Sequence, residues 1–247
     1  MKFPPFLRAS LAFAALSGAI AAHAVELIAN GGFENGLTGW TSVSSLAANG
    51  GYDPSSPGTS ARAYGAQGSS GAAPLSGLGV LSPSVGNAYA LADATGAGAT
   101  ALLQNFTVPT GTTSLTLSYR MYVYDYYGYG PQGAGLTYSG SPGSAQLARV
   151  DLLRGTSADF STAAADVVRS FYAGSPSDPN AAFALSTFDL TGLAAGSYRL
   201  RFSTVDNGFV VSQGIDAVTV NAVPEPAAFL SFALGALSFL RRRVRRA

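Results

Sequence analysis

The sequence predicts an all-β domain, an antiparallel β-sandwich, and three observations carry that expectation. Several runs alternate apolar and polar residues with a period of two. In 114–124, SLTLSYRMYVY, residues Leu115, Leu117, Tyr119, Met121 and Val123 share one face, and Thr116, Ser118 and Arg120 the other. Turn-rich stretches dense in Gly, Ser and Pro separate such runs, above all 47–86. Between the two ends of the chain no long helical period is present. Period-two runs with one polar face mark half-buried strands, and many short strands without helices make a sandwich.

Taken in order, the predicted strands are 88–92, 101–108, 114–124, 146–153, 167–172, 183–190, 197–204 and 215–220. The 146–153 run sets Ala148, Val150 and Leu152 against Arg149 and Asp151. The 197–204 run sets Tyr198, Leu200 and Phe202 against Arg199 and Arg201. Segment 47–86 is expected to be loop.

The two ends stand apart from this domain. Lys2 and Arg8, an apolar core over 9–22 and the small-x-small site Ala22-His23-Ala24 predict a secretory signal peptide over 1–24, cut before Val25. The domain then covers 25–222. Within those limits seven arginines face twelve carboxylates, a net charge of 7 − 12 = −5. An acidic exported domain has no electrostatic reason to bind nucleic acid. The only lysine (Lys2) and the only histidine (His23) lie in the signal segment, and the chain has no cysteine.

At the other end, 223–247, Pro224-Glu225-Pro226 precede an uncharged run over 227–240. Arg241, Arg242, Arg243, Arg245 and Arg246 then follow. Those fourteen uncharged residues make about 21 Å of helix against a hydrocarbon core of about 30 Å, a short single transmembrane helix. By the positive-inside rule its arginines are cytoplasmic and 25–222 lies outside. Motif, helix and arginine cluster in this order resemble the PEP-CTERM sorting signal. The resemblance implies processing by an exosortase at the inner membrane of a bacterium with an outer membrane. Transient anchoring by the helix, followed by release to the cell surface or to an exopolysaccharide or biofilm matrix, is implied with it.

A second resemblance concerns the domain. NGGFENGLTGW, starting at Asn30, and GIDAV, starting at Gly214, are similar to the opening and closing motifs of galactose-binding-like jelly rolls, which include carbohydrate-binding modules. That resemblance implies a structural Ca²⁺ near the meeting point of first and last strands, with Glu34 and Asp216 as its carboxylates. The alternative is that both accept backbone N–H bonds at turns. Asp216 shares the parity of Val218 and Val220 and is expected on the face those valines bury.

Seven tyrosines fall between Tyr119 and Tyr138. Parity sends Tyr119 into the core and Tyr122 and Tyr124 outward, with Tyr126, Tyr127 and Tyr129 on the following loop. Tyr124, Tyr126, Tyr127 and Tyr129 are candidates for stacking on sugar rings; the alternative is that they fill sheet faces and solvate the loop. Trp40 is expected in the core. Without His, Cys or Lys in 25–222, imidazole- or thiolate-based nucleophilic sites and lysine Schiff bases are excluded. Asp125, Asp151 and Asp206 show nothing to separate them from solvated surface acids, so no enzyme is expected. The expected function is a non-enzymatic surface or matrix protein. A carbohydrate-binding module with a specific glycan site is the alternative, and a glycosidase or lyase comes after it.

Overall fold

Alternating runs become strands because a pleated strand sends successive side chains to opposite faces. In the computed structural model the described residues are 23–46, 62–68, 72, 77, 79–94, 98–125, 135–136, 146–174, 182–206 and 211–225. They form eleven strands: β1 Val25–Glu26, β2 Thr41–Leu46, β3 Arg62–Gln67, β4 Tyr89–Ala94, β5 Gly98–Val108, β6 Thr112–Asp125, β7 Leu147–Arg154, β8 Val167–Gly174, β9 Ala184–Asp189, β10 Gly196–Asp206 and β11 Val211–Pro224. All pairings between them are antiparallel. Ala24–Pro224 is one compact unit. Residues 1–22 of the predicted signal peptide and the predicted helix over 227–240 lie outside the described residues.

One sheet has the order β3-β4-β11-β6-β9, with β1 added to β11; the other has β2-β5-β10-β7-β8. From β4 onward the chain alternates between sheets except for the β7–β8 hairpin. This gives β4-β11-β6-β9 facing β5-β10-β7-β8, the wiring of an eight-strand jelly roll. Every predicted strand is present. β2 and β3 were not predicted; their sequences, TSVSSL and RAYGAQ, lack the apolar alternation that marks the others. β3 runs through the segment expected to be loop.

The interior is built as parity requires. Leu115, Leu117, Tyr119, Met121 and Val123 of β6 meet Ala148, Val150 and Leu152 of β7 and Tyr198, Leu200 and Phe202 of β10 in one core. Tyr119 packs edge-on to Phe202 at 5.4 Å and stacks on Phe188 at 5.9 Å. Trp40 lies in the same core, 5.3 Å from Phe33.

The outer faces depart from the expectation of a solvated polar side. Tyr122 does leave the core face, yet it is buried against Tyr89, Leu91 and Phe183 in a second apolar cluster. It also lies flat over its cross-strand partner Gly214, where an added Cβ would sit 1.9 Å from the ring. Burial pushes the Tyr122 hydroxyl well above its ordinary range.

On the other sheet, Arg149, Asp151 and Arg201 are buried rather than solvated. Asp151 accepts from Arg149 Nη2 at 2.7 Å and from Arg201 Nη2 at 2.6 Å. Arg201 Nη1 also donates to the carbonyls of Asp159 and Ser161, and Arg199 to that of Ser157. These arginines therefore pin the 155–166 loop across the sheet. The loop supplies the cover that strand patterns alone do not show.

Burial by itself would raise the Asp151 carboxyl, but the hydrogen bonds and charges of Arg149 and Arg201 outweigh it and hold it below its ordinary value of 3.8. A carboxyl depressed on folding stabilises the fold fully above its unfolded pKa, and that contribution is lost as pH falls through the folded one. Asp151→Asn is therefore expected to cost about 3–5 kcal/mol at pH 7, the scale for breaking a buried ion pair. It should also flatten the loss of stability below pH 3.8. Urea unfolding of both proteins between pH 2 and 7 measures this, and parallel acid limbs count against the assignment.

Candidate functional site

Two places combine the predicted site residues: the corner where the N-terminal loop meets β11, and the end of β11 where the sorting motif starts. The corner is built by the NGGFENGLTGW stretch. Asn30 takes a left-handed φ of 51°, which asparagine tolerates. Its side chain donates to the carbonyls of Gly36 and Thr38 and accepts from Asn35 N, closing the loop on itself. Phe33 plugs the core with no exposed surface. Gly31 passes so close to β11 that a Cβ would stand 1.8 Å from the Val218 carbonyl oxygen.

β11 carries a bulge here. Asp216 pairs with Arg120 and Thr219 with Ser118, so the β11 side has one extra residue, and Ala217 has φ 50°. The bulge overturns the parity expectation for Asp216. Ile215 faces the core, the inward pattern resumes at Val218, and Asp216 is thrown off the face of Val218 and Val220. Its Oδ2 accepts from Ser84 N at 2.9 Å, Ser84 Oγ at 2.7 Å and Val85 N at 2.9 Å; Oδ1 accepts from Ala217 N at 2.7 Å. Glu34 Oε1 accepts from Asn87 N at 2.7 Å and Ala88 N at 3.2 Å. The backbone hydrogen bond from Asn87 leads the causes that lower the Glu34 pKa.

The structure thus brings Glu34 and Asp216 to the same short segment, 84–88, which each grips from its own side. Asp216 is surrounded by N–H and O–H donors, and Glu34, itself exposed, takes two N–H donors on one oxygen. A calcium ion needs oxygen lone pairs pointing at it, and those of Asp216 are turned to donors. Among the described residues no group of three or more His, Cys, Asp or Glu is placed to hold a metal. The hydrogen bonds present are those of a carboxylate clasp, and calcium at this corner is a proposal to be measured.

Of the tyrosine candidates, Tyr124 is half-buried near the end of β6; Tyr126, Tyr127 and Tyr129 lie outside the described residues. Asp125 and Asp206, expected among solvated acids, are buried. Asp206 accepts from Gln146 Nε2 at 3.4 Å, and Gln146 is itself fully buried. Both continue the core-facing parity of their strands, Asp125 after Val123 and Asp206 after Phe202 and Thr204, and that parity is the sequence signal for their burial. For Asp151 a signal existed: the RVD of β7 and the RLR of β10 are complementary in charge, and β10 pairs with β7.

At its far end β11 runs straight into the Pro-Glu-Pro motif. Pro224 is the last residue of the strand, opposite Thr112, and Glu225 is exposed. Pro226, Arg241, Arg242 and Arg243 lie outside the described residues. Among those described, no helix is long and apolar enough to cross a membrane. Residues 222–246 match the family model of the PEP-CTERM protein-sorting motif. The C-terminus is a PEP-CTERM sorting motif.

No curated protein sequence matches the chain. Among solved structures the chain is similar to TmCBM61 in complex with β-1,4-galactotriose, with 9% identity, TM-score 0.45, and coverage of 79% of this chain and 97% of that one. It is similar to the K3 cleaved adhesin domain of Lys-gingipain from Porphyromonas gingivalis, with 14% identity, TM-score 0.44, and coverage of 81% and 99%. It is also similar to the Stig cyclase Fisc from Fischerella sp., with 15% identity, TM-score 0.42, and coverage of 82% and 99%.

Asp216→Ala is expected to destabilise the domain by about 3 kcal/mol or more, because it leaves a set of donors without their ionised acceptor. Urea unfolding measures it, and a change below 1 kcal/mol, roughly one ordinary hydrogen bond, counts against the clasp. Melting in excess calcium and in chelator separates the two occupants of the corner. Bound calcium adds about 2.7 kcal/mol at a hundredfold excess over Kd, whereas a clasp alone gives equal curves.

Proposed function

We propose that this chain is a non-enzymatic exported protein, sorted through the inner membrane by an exosortase and delivered to the cell surface or extracellular matrix. The observation that carries this reading is the PEP-CTERM motif joined without a linker to the last strand of a β-sandwich. The absence of His, Cys and Lys from 25–222 supports a binding or structural role rather than catalysis. So does the use of the buried acids: Asp151 holds Arg149 and Arg201, and Asp216 holds the 84–85 segment. Intact-mass analysis of the released protein tests the reading. The chain should begin near Val25 and end near Pro224-Glu225-Pro226, and released protein that still carries its five terminal arginines defeats it.

The partner proposed at the surface is extracellular polysaccharide, in keeping with the exopolysaccharide programme that the sorting signal implies. Tyr124 lies one residue before the end of β6 and just ahead of the tyrosine-rich stretch of the sequence, and this supports a contact with sugar rings there. Alanine at Tyr124, Tyr126 and Tyr127 together should leave the far-UV circular dichroism of the sandwich in place. Retention on a gel of the host polysaccharide should be abolished. Undiminished retention by the folded triple variant removes these rings from the binding surface.

A further inference from the structure

The end of β11 is held from two sides. On one side lies β6, with Val220 opposite Leu117, Ala222 opposite Leu115 and Val223 opposite Ser114. On the other side lies the N-terminal segment. Val218 N donates to Gly31 O at 2.9 Å and Leu27 N to Val220 O at 2.8 Å. Beyond them β1 sets Glu26 opposite Asn221 and Val25 opposite Ala222. Glu26 adds a side-chain tie, its Oε1 accepting from Val220 N at 2.7 Å and Ile28 N at 2.8 Å. Thr113 Oγ1 donates to Val223 O at 3.0 Å, the last such tie on the strand.

The ladder then stops at a residue that cannot extend it. Proline has no N–H to donate, and a register irregularity falls between Val223 and Pro224. Glu225 follows, exposed. A protease takes its substrate as an extended segment whose backbone groups are free to pair with the enzyme. Through Val223 the β11 backbone is committed to the sheet, and the strand ends at Pro224.

We propose that the folded sandwich is itself the stop for removal of the C-terminal tail. The last strand, clamped between the N-terminal segment and β6, shields every bond up to Pro224 and offers the chain for cutting only beyond it. Pro224 has two roles on this account: first residue of the sorting motif and terminator of the sheet. The tail can be removed without opening the sandwich. The inference rests on the proposed tail removal and adds to it where the limit of cutting lies and what sets it.

The chain contains no cysteine, so a Ser114→Cys, Val223→Cys pair forms a single possible disulfide, locking the last opposed residues of β6 and β11 before the register irregularity. The full chain is expressed with an exosortase, and the released protein is weighed with the lock oxidised and reduced. The expected result is that wild type and both forms of the variant lose the tail equally, with a C-terminus at Pro224 or later. A locked chain that keeps its tail while its reduced form is processed overturns the proposal, because β11 then has to be peeled away for cutting. A wild-type C-terminus upstream of Pro224 overturns it as well.

If the wild type never loses its tail, the exosortase reading fails on its own. The stop is then judged by proteinase K digestion of the tail-bearing chain in detergent. A digest that halts at Pro224 or Glu225 upholds the stop, and trimming into 218–223 ends it.

Discussion

The bulge at Asp216–Thr219 is the constraint on which the rest of this fold depends. β11 keeps β6 on one side along its length, but its other neighbour changes. From Gln213 to Ile215 that neighbour is β4; from Val218 to Ala222 it is the N-terminal segment that ends in β1. An unbroken strand would carry one ladder on that side and one alternation of faces. The extra residue, with Ala217 at φ 50°, resets both. It keeps Val218 and Val220 in the core while freeing Asp216 to hold the segment that leads into β4. The NGGF turn fits only because Gly31 has no Cβ to strike the Val218 carbonyl.

Much of the sandwich was legible because its central strands alternate. β6, β7 and β10 are buried on the core side by residues of one parity, and simple counting finds them. β2 and β3 were not legible, for a physical reason. They are the outermost strands of their sheets, built from small and polar residues whose place is fixed by the ladder of a neighbour rather than by an apolar face. Asp216 was misplaced for a related reason. Parity arguments assume an unbroken strand, and nothing in GIDAV announces the extra residue. Tyr122 shows the limit of the inside–outside reading: the parity was right, but the outer face is roofed by Phe183 and the 80–81 segment, which no local pattern places there.

The candidate site divides in the same way. The sorting motif is a linear signal, read by order and spacing. The corner is a signal of shape. Its glycines, Asn30 and the two carboxylates are all required by the geometry of one turn against one bulge. The residue types that resemble a metal corner are here also the residue types of a hydrogen-bonded clasp, since a carboxylate satisfies either a cation or a ring of N–H donors. Sequence names the carboxylates but not the direction in which their lone pairs point.

Topology also ties the completion of folding to the sorting tail. β11 is an inner strand of its sheet, paired to β4, β6 and β1, and the β1–β11 pairing joins residues near opposite ends of the chain. Contacts of such sequence separation form late, because loop closure has to be met before they contribute. The sheet therefore has an open seam beside β6, bordered by β4 and then by the N-terminal segment, until β11 is in place up to Pro224. Under the proposed export route these are among the last residues to emerge, next to the segment that holds the chain in the membrane. A tail that stays attached while β11 enters its seam keeps the unfinished edge from release, and the same strand, once seated, leaves only the bonds beyond Pro224 open. Folding and release then share one element, and the chain has no disulfide to take over either task.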